Sequence, residues 1–412
     1  MLKLNLKKYF FLILVYVLYS CGQHHRMGIN NNDLPGSEIK DSEKLKDLSN
    51  EEMSNEEIYK LLGLKGGIIF LHGYSMNNQN SPVKPCAEKL EKELENRFIY
   101  VMSTCRENDS SEKLSIGKQA DLVINETIKR LTDEFTNRLP NSLKGRIPSI
   151  VKNFPLFFAR NSQGALVMIN IAEKNSRDPK LNISGIVSTS APLDGLDIAD
   201  NTWKYRSFAG KVNPILQSYG YDIIKPSDIL KVSFARMAIS STRFIPKKIR
   251  STYKISTLTG LTDVFTNSKV IKATQEFIYS RSHSTSILLI CGTAEDMTKY
   301  IDTRSDTNKT PELSSEARKE FNEGYSYVIT GEKNGSHDNM ISKESQLCAK
   351  KKDRYGGYPN NVQTYILPGN YFHCRNFMLL FDVYFNGRDN TTAIESNEAV
   401  KRIAEFINSI SK

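Results

Sequence analysis

The stretch FFARNSQGALVMINIA, residues 157–172, decides how the rest of the chain is read. The apolar run Phe157-Phe158-Ala159 breaks at Arg160-Asn161. A serine follows at 162 and a glycine at 164, and apolar residues then return at helical spacing. The pattern predicts a buried strand, a tight turn and a helix, with Ser162 at the apex. A serine hydroxyl is a weak nucleophile and needs an adjacent base. At a strand-to-helix turn it is pushed out over the sheet, and the backbone N–H of Gln163 points at a developing oxyanion. The competing reading is an ordinary turn hydroxyl, because a five-residue pattern recurs by chance.

Outward from this stretch the chain has the texture of one large α/β unit. Its 412 residues, 39% hydrophobic and 25% charged, suffice for one such domain with insertions or for two modest ones. GGIIFLHGYS from residue 66 reads as a buried strand entering a glycine turn, and 97–105, 183–192, 286–292 and 362–369 read as further strands. Residues 115–135 place Ala120, Val123, Ile124, Ile128 and Leu131 on one helical side, and Ala399–Ile410 form a closing amphipathic helix. Strands alternating with helices imply a mostly parallel sheet covered on both faces.

The N-terminus reads differently. Lys3, Lys7 and Lys8 precede an apolar run, Tyr9–Tyr19, that is too short to span a bilayer and ends in Leu18-Tyr19-Ser20-Cys21. This resembles a bacterial lipoprotein signal, with Tyr19 a bulky departure. The resemblance implies a signal peptide over 1–20, acylation of Cys21, export, and attachment to a membrane at the cell envelope or surface. A plain secretory signal or an uncleaved anchor is the alternative. Residues 22–60 carry five basic and nine acidic side chains, a net −4, and 21–65 reads as a flexible tether whose end, around Glu56–Leu62, reads as a short helix. The catalytic domain is then 66–412, with an insertion at about 201–280. Within that insertion, residues 201–254 hold eleven Lys or Arg and two acids, a net +9 against +10 for the whole chain. It also carries apolar runs such as Ile229, Leu230, Val232 and Phe234, so it reads as a helical basic cap that could meet anionic headgroups. Positive charge confined to an exported cap is not a nucleic-acid signature, and no nucleic-acid motif is present. No cysteine or histidine spacing suits a metal, and no Gly-rich nucleotide loop occurs. Cys86, Cys105, Cys291, Cys348 and Cys374 are odd in number and dictate no disulfide pairing; Cys374 reads as a packed thiol.

Four features fall in one order: His72-Gly73 after the first strand, LSIGKQADLV at 114–123, the Ser162 turn, and STSAPLDG at 188–195. Together they resemble the α/β-hydrolase superfamily, nearest to bacterial lipases of the triacylglycerol type, over roughly residues 66–410. The turn departs from G-x-S-x-G at its minus-two position, where Arg160 would have to aim its side chain out of the turn. The resemblance implies that the backbone N–H of Tyr74 is a second oxyanion donor, with His72 structural. It also implies the chain order Ser, then Asp or Glu, then His. His373, in LPGNYFHCRNF after the last strand, is the implied base. His283 lies before a strand, at the wrong end. Two acids compete: Asp296 in LLICGTAED, just after a strand, and Asp338 in NGSHDNMISKESQ, which resembles the lipase acid segment and is favoured. His337, beside that acid, is poorly placed to reach the serine as well. The implied activity is cleavage of carboxylic esters, most naturally lipid esters, through an acyl-enzyme and without cofactor. The alternatives are a thioesterase or small-ester esterase, a serine peptidase, and an inactive hydrolase-like surface lipoprotein, for which Arg160 is the best argument. The oligomeric state is not legible.

Overall fold

The computed structural model describes residues 53–73, 82–105, 110–197, 201, 213–215, 217–218, 259–294, 296–300, 312–373, 376–378, 384–386 and 392–411. The leader, Cys21, Tyr74, Cys374 and most of the expected cap lie outside them. The chain runs α1 (Asn55–Leu61), β1 (Gly66–Leu71), α2 (Val83–Glu93), β2 (Phe98–Met102), α3 (Ser110–Lys113), α4 (Ile116–Arg138), α5 (Ile147–Asn153), β3 (Pro155–Asn161), α6 (Gly164–Arg177) and β4 (Asn182–Thr189). It resumes with α7 (Thr259–Asp263), α8 (Lys269–Tyr279), β5 (Ser286–Thr293), α9 (Ser315–Thr330), α10 (Lys343–Gln346) and β6 (Val362–Asn370). A short antiparallel pair, β7 (Asn376–Met378) and β8 (Tyr384–Asn386), precedes the closing α11 (Asn397–Ile410).

The six long strands form one sheet in the order β2-β1-β3-β4-β5-β6, with every neighbouring pair parallel. Every residue of β1 is buried, as a parallel strand covered on both faces requires. Alternation along it separates two cores. Ile69 and Leu71 join Phe158, Val123 and Phe135 on one face, under α4, α6 and α8. Ile68 and Phe70 join Phe157, Leu90 and Ile403 on the other, under α2 and α11. Gly66 lets β1 approach β3: a Cβ there would stand 2.7 Å from the Pro155 carbonyl oxygen. β1 pairs with β2 on one side and with β3 on the other, so the chain reverses its direction of growth across the sheet between β2 and β3. Open α/β sheets hold their ligands in the crevice that such a reversal leaves at the strands' C-terminal ends. This strand order, with helices on both faces and a serine turn after β3, is the α/β-hydrolase fold.

Two expected boundaries move. The tether was expected to run to residue 65, yet α1 belongs to the body. Ser54 and Glu57 form a reciprocal cap, Ile58 is fully buried, and the Tyr59 hydroxyl donates to the Ile150 carbonyl at 2.7 Å. The insertion was expected to close near 280, yet α8 buries Ile271, Phe277 and Ile278 in the main core. Among the described residues no helix is long and apolar enough to cross a membrane, and Cys86, Cys291 and Cys348 are free thiols.

Candidate active site

β3 ends at Asn161 and α6 begins at Gly164, so Ser162 and Gln163 alone make the turn. Ser162 has φ +61°, a left-handed conformation that costs a residue with a Cβ about 1–2 kcal/mol. Its N–H donates to the Thr189 carbonyl at the end of β4 at 3.2 Å, and its own carbonyl accepts from the Ala165 N–H at 3.0 Å. The turn is thus fastened to the sheet on one side and to the helix on the other.

His373 lies just past β6. Its backbone N–H donates to the Asp338 carbonyl at 2.8 Å and to Asn339 Oδ1 at 3.2 Å. Asn161 Nδ2 donates to its carbonyl at 3.4 Å. The ring held this way has Nε2 at 2.9 Å from Ser162 Oγ and Nδ1 at 3.0 Å from Asp338 Oδ2. With Nδ1–H donating to the carboxylate, Nε2 accepts from the serine hydroxyl. Asp338 is fully buried, and its other oxygen accepts the N–H groups of Met340 at 3.1 Å and Ile341 at 2.8 Å. Its loop is pinned to the end of β5, where the Ala294 N–H donates to the His337 carbonyl at 2.6 Å.

The competing residues have other work. Asp296 Oδ1 accepts from the Thr298 hydroxyl at 2.6 Å and from Asn322 Nδ2 at 2.9 Å. Burial would raise its pKa, but the bonds from Thr298 and Asn322, with Arg318 nearby, outweigh that and hold it below the usual carboxylate range. This carboxylate ties the segment after β5 to α9. His337 accepts the Asn339 N–H on Nδ1 at 3.1 Å, so its Nε2–H donates to Ser326 Oγ at 3.0 Å. Burial pushes it down to about 4 against the opposing charge of Asp338. His283 stacks on Phe277 at 4.1 Å and engages the Phe277 carbonyl before β5 begins.

Gln163 sits at the N-terminus of α6 with helical backbone angles, where helix-dipole and amide N–H groups favour an anion. Tyr74 follows the described His72-Gly73 but lies outside the described residues. Arg160 aims its guanidinium away from the turn and toward the end of β1. It is fully buried, and its guanidinium nitrogens lie 3.4 and 3.5 Å from the Leu71 carbonyl at the end of β1. Backbone pairing sets Arg160 opposite Leu71, which brings that carbonyl within reach of its guanidinium. Asn161 and Asn339, which hold the His373 backbone, were missed in the sequence. Asn339 has φ +76°, a conformation Asn tolerates best among residues with a side chain, but nothing local marks its partner.

No family model matches the chain, and no curated protein matches it. Among solved structures it is similar to lipase 1 from Pelosinus fermentans, at 12% identity over 84% of this chain and 98% of that one, TM-score 0.42. It is also similar to phospholipase PlaB from Legionella pneumophila, at 10% identity over 84% of this chain, TM-score 0.41; the match spans 62% of that protein. A third is Bacillus licheniformis lipase BlEst2, at 11% identity over 83% of this chain and 91% of that one, TM-score 0.35. At such identities and scores, the fold rests on the strand order and the site on its own distances.

Proposed function

We propose that the chain is a serine hydrolase of carboxylic esters, acting on lipid esters at a membrane to which an acylated Cys21 tethers it. The observation that carries this reading is the unbroken hydrogen-bonded chain from Ser162 Oγ through the His373 ring to Asp338, at 2.9 and 3.0 Å. In this mechanism His373 Nε2 takes the Ser162 proton as Oγ attacks the ester carbonyl. The tetrahedral oxyanion is held by the N–H groups of Gln163 and Tyr74. The imidazolium, stabilised by Asp338, gives its proton to the leaving alcohol. Water, deprotonated by the same ring, then attacks the acyl-enzyme and releases the acid and free serine.

Lipid as the substrate class is supported by sequence: the lipoprotein-type leader and the cap with a net +9 over 201–254 both suit an enzyme working at an anionic surface. Arg160, the feature favouring an inactive scaffold, gives that alternative little support once its charge is buried against the Leu71 carbonyl rather than obstructing the turn. The deciding experiment is labelling with a fluorophosphonate probe, expected in the wild type and absent in Ser162→Ala. Turnover of p-nitrophenyl esters of increasing acyl length then separates a lipase from a short-ester esterase. A wild-type protein that never labels would end the enzyme reading.

A further inference from the structure

The backbone of Gln163 is fixed without its side chain: it has helical angles at the start of α6, and its carbonyl accepts from the Leu166 N–H at 3.0 Å. The side chain is nonetheless committed elsewhere. It is 1% exposed, and Nε2 donates to the Ser111 carbonyl of α3 at 3.1 Å and to the Gly260 carbonyl of α7 at 2.9 Å. These acceptors lie 52 residues before it and 97 after. A primary amide has two hydrogens on one nitrogen, one for each carbonyl; neither a carboxylate nor a thioether could serve both.

The two segments it joins are fastened to the body a second time. Gln119 of α4 donates to the same Ser111 carbonyl at 3.1 Å and to the Leu114 carbonyl at 2.8 Å. Asp263 of α7 accepts the Ile116 N–H at the start of α4 at 2.9 Å. α3 and α7 therefore converge beside the residue that follows Ser162. α7 is also where the described chain resumes after the cap region.

We infer that the Gln163 side chain is a specificity-determining positioning residue. It draws α3 and α7 together next to Ser162 and so sets the wall against which the substrate's acyl chain lies. This deepens the proposed ester-hydrolase reading and rests on it. An acetyl group is short enough to be held at the oxyanion site and nucleophile alone, whereas an octanoyl chain must lie along the wall. Removing the clamp should thus weaken turnover of the octanoyl ester more than that of the acetyl ester.

The test is Gln163→Met in the full chain, which keeps the backbone N–H and the side-chain volume and removes both donors. The octanoate-to-acetate ratio of kcat/KM for the p-nitrophenyl esters, in which any effect on the step common to both cancels, should fall about tenfold or more. Amide hydrogens of 110–114 and 259–263 should exchange about tenfold faster or more, since their tie to the turn is gone. An unchanged ratio overturns the proposal. So does an equal loss on both esters, which would place the side chain's role at the oxyanion. Should Gln163→Met not fold, Gln119→Met weakens the grip on Ser111 from the other side and should shift the ratio the same way, by about twofold to threefold; no shift counts against the clamp. Fluorophosphonate labelling of the wild type separates the two claims: without labelling it is the hydrolase reading that fails, and the exchange measurement still reports on the clamp.

Discussion

Replacing Asp338 by asparagine changes one atom and leaves three hydrogen bonds that the geometry does not allow to be kept together. Oδ1 of Asp338 accepts the N–H groups of Met340 at 3.1 Å and Ile341 at 2.8 Å, and Oδ2 accepts Nδ1–H of His373 at 3.0 Å. Asparagine offers one acceptor and one donor. If its oxygen stays with the two amides, its NH2 faces His373 Nδ1. The ring must then carry its proton on Nε2, and it has no lone pair left for the serine proton. In the flipped orientation the NH2 faces two buried N–H groups, each orphaned at a cost of about 1–3 kcal/mol. The first arrangement therefore wins, and it is catalytically the wrong tautomer. That error costs turnover about 10⁴-fold in a Ser-His-Asp site, or about 5.5 kcal/mol. Measured on p-nitrophenyl esters, kcat of Asp338→Asn should fall about 10³–10⁴-fold with KM little changed. Asp296→Asn keeps its acceptor for Thr298 and Asn322 and gives up only partly exposed contacts to Arg318 and Lys299, 3.7 and 4.0 Å away. Its kcat should stay within about threefold. An Asp338→Asn enzyme within tenfold of wild type, or an Asp296→Asn enzyme that falls as far, refutes the reasoning.

Three stability predictions follow from the same contacts. The folded His337 titrates near 4 against an ordinary 6.5, so the stability from keeping it neutral is fully present above pH 6.5 and is lost as pH falls toward 4. At about 1.4 kcal/mol per pH unit it amounts to about 3 kcal/mol. Urea midpoints at pH 7, 5 and 4 should show this loss in wild type and not in His337→Gln, whose amide can still accept from Asn339 and donate to Ser326; parallel losses would remove His337 as the cause. Gly195 has φ +90°, and a Cβ there would lie 2.4 Å from Thr266 Cα; Gly195→Ala should cost about 3 kcal/mol or more by denaturant unfolding, and a cost under about 1 kcal/mol would mean this loop moves freely. Ile58→Ala should cost about 2–5 kcal/mol, read as a fall in Tm, because Ile58 is fully buried; an unchanged Tm would return α1 to the tether.

The strands were legible for a simple reason. A parallel strand covered on both faces, such as 66–71, must be apolar throughout, and no helix surface mimics that run. The order of Ser162, Asp338 and His373 along the chain was legible too, because each stands just after a strand or in a recognisable acid segment. What escaped was set by partners far away in sequence. Arg160 reads as a side chain that must leave the turn, but its destination, a backbone carbonyl on β1, has no local signal. The α8 segment was assigned to the insertion because no strand intervenes before residue 286. The short helix at the end of the tether is legible, since Ser54 followed three residues later by Glu57 is a helix-start signal; its docking on the body is not, because Tyr59 finds its partner Ile150 91 residues away. The grip of Asn161 on His373 spans 212 residues, and no local pattern reports it.

The backbone strain bears on whether this site is used. Ser162 at φ +61°, Ser190 at +48° and Asn339 at +76° stand after β3, after β4 and beside Asp338. Each is held from outside itself: Ser162 by the Thr189 carbonyl and Ser190 by the Ile290 carbonyl, Asn339 by the His337 ring and the Tyr325 hydroxyl. Strain of about 1–3 kcal/mol per residue persists only where surroundings over-determine it. At 162 the cheaper solution is glycine, which takes a positive φ without steric cost and would satisfy every backbone contact the turn makes. A scaffold that merely binds gains nothing from a Cβ there. The one thing serine adds is an oxygen, and that oxygen stands 2.9 Å from an imidazole nitrogen whose ring is held by Asp338 and whose backbone is held by Asn161 and Asn339. The cost falls on the atom that the proposed chemistry uses, which is the physical argument for a working nucleophile over an inactive relative of the fold.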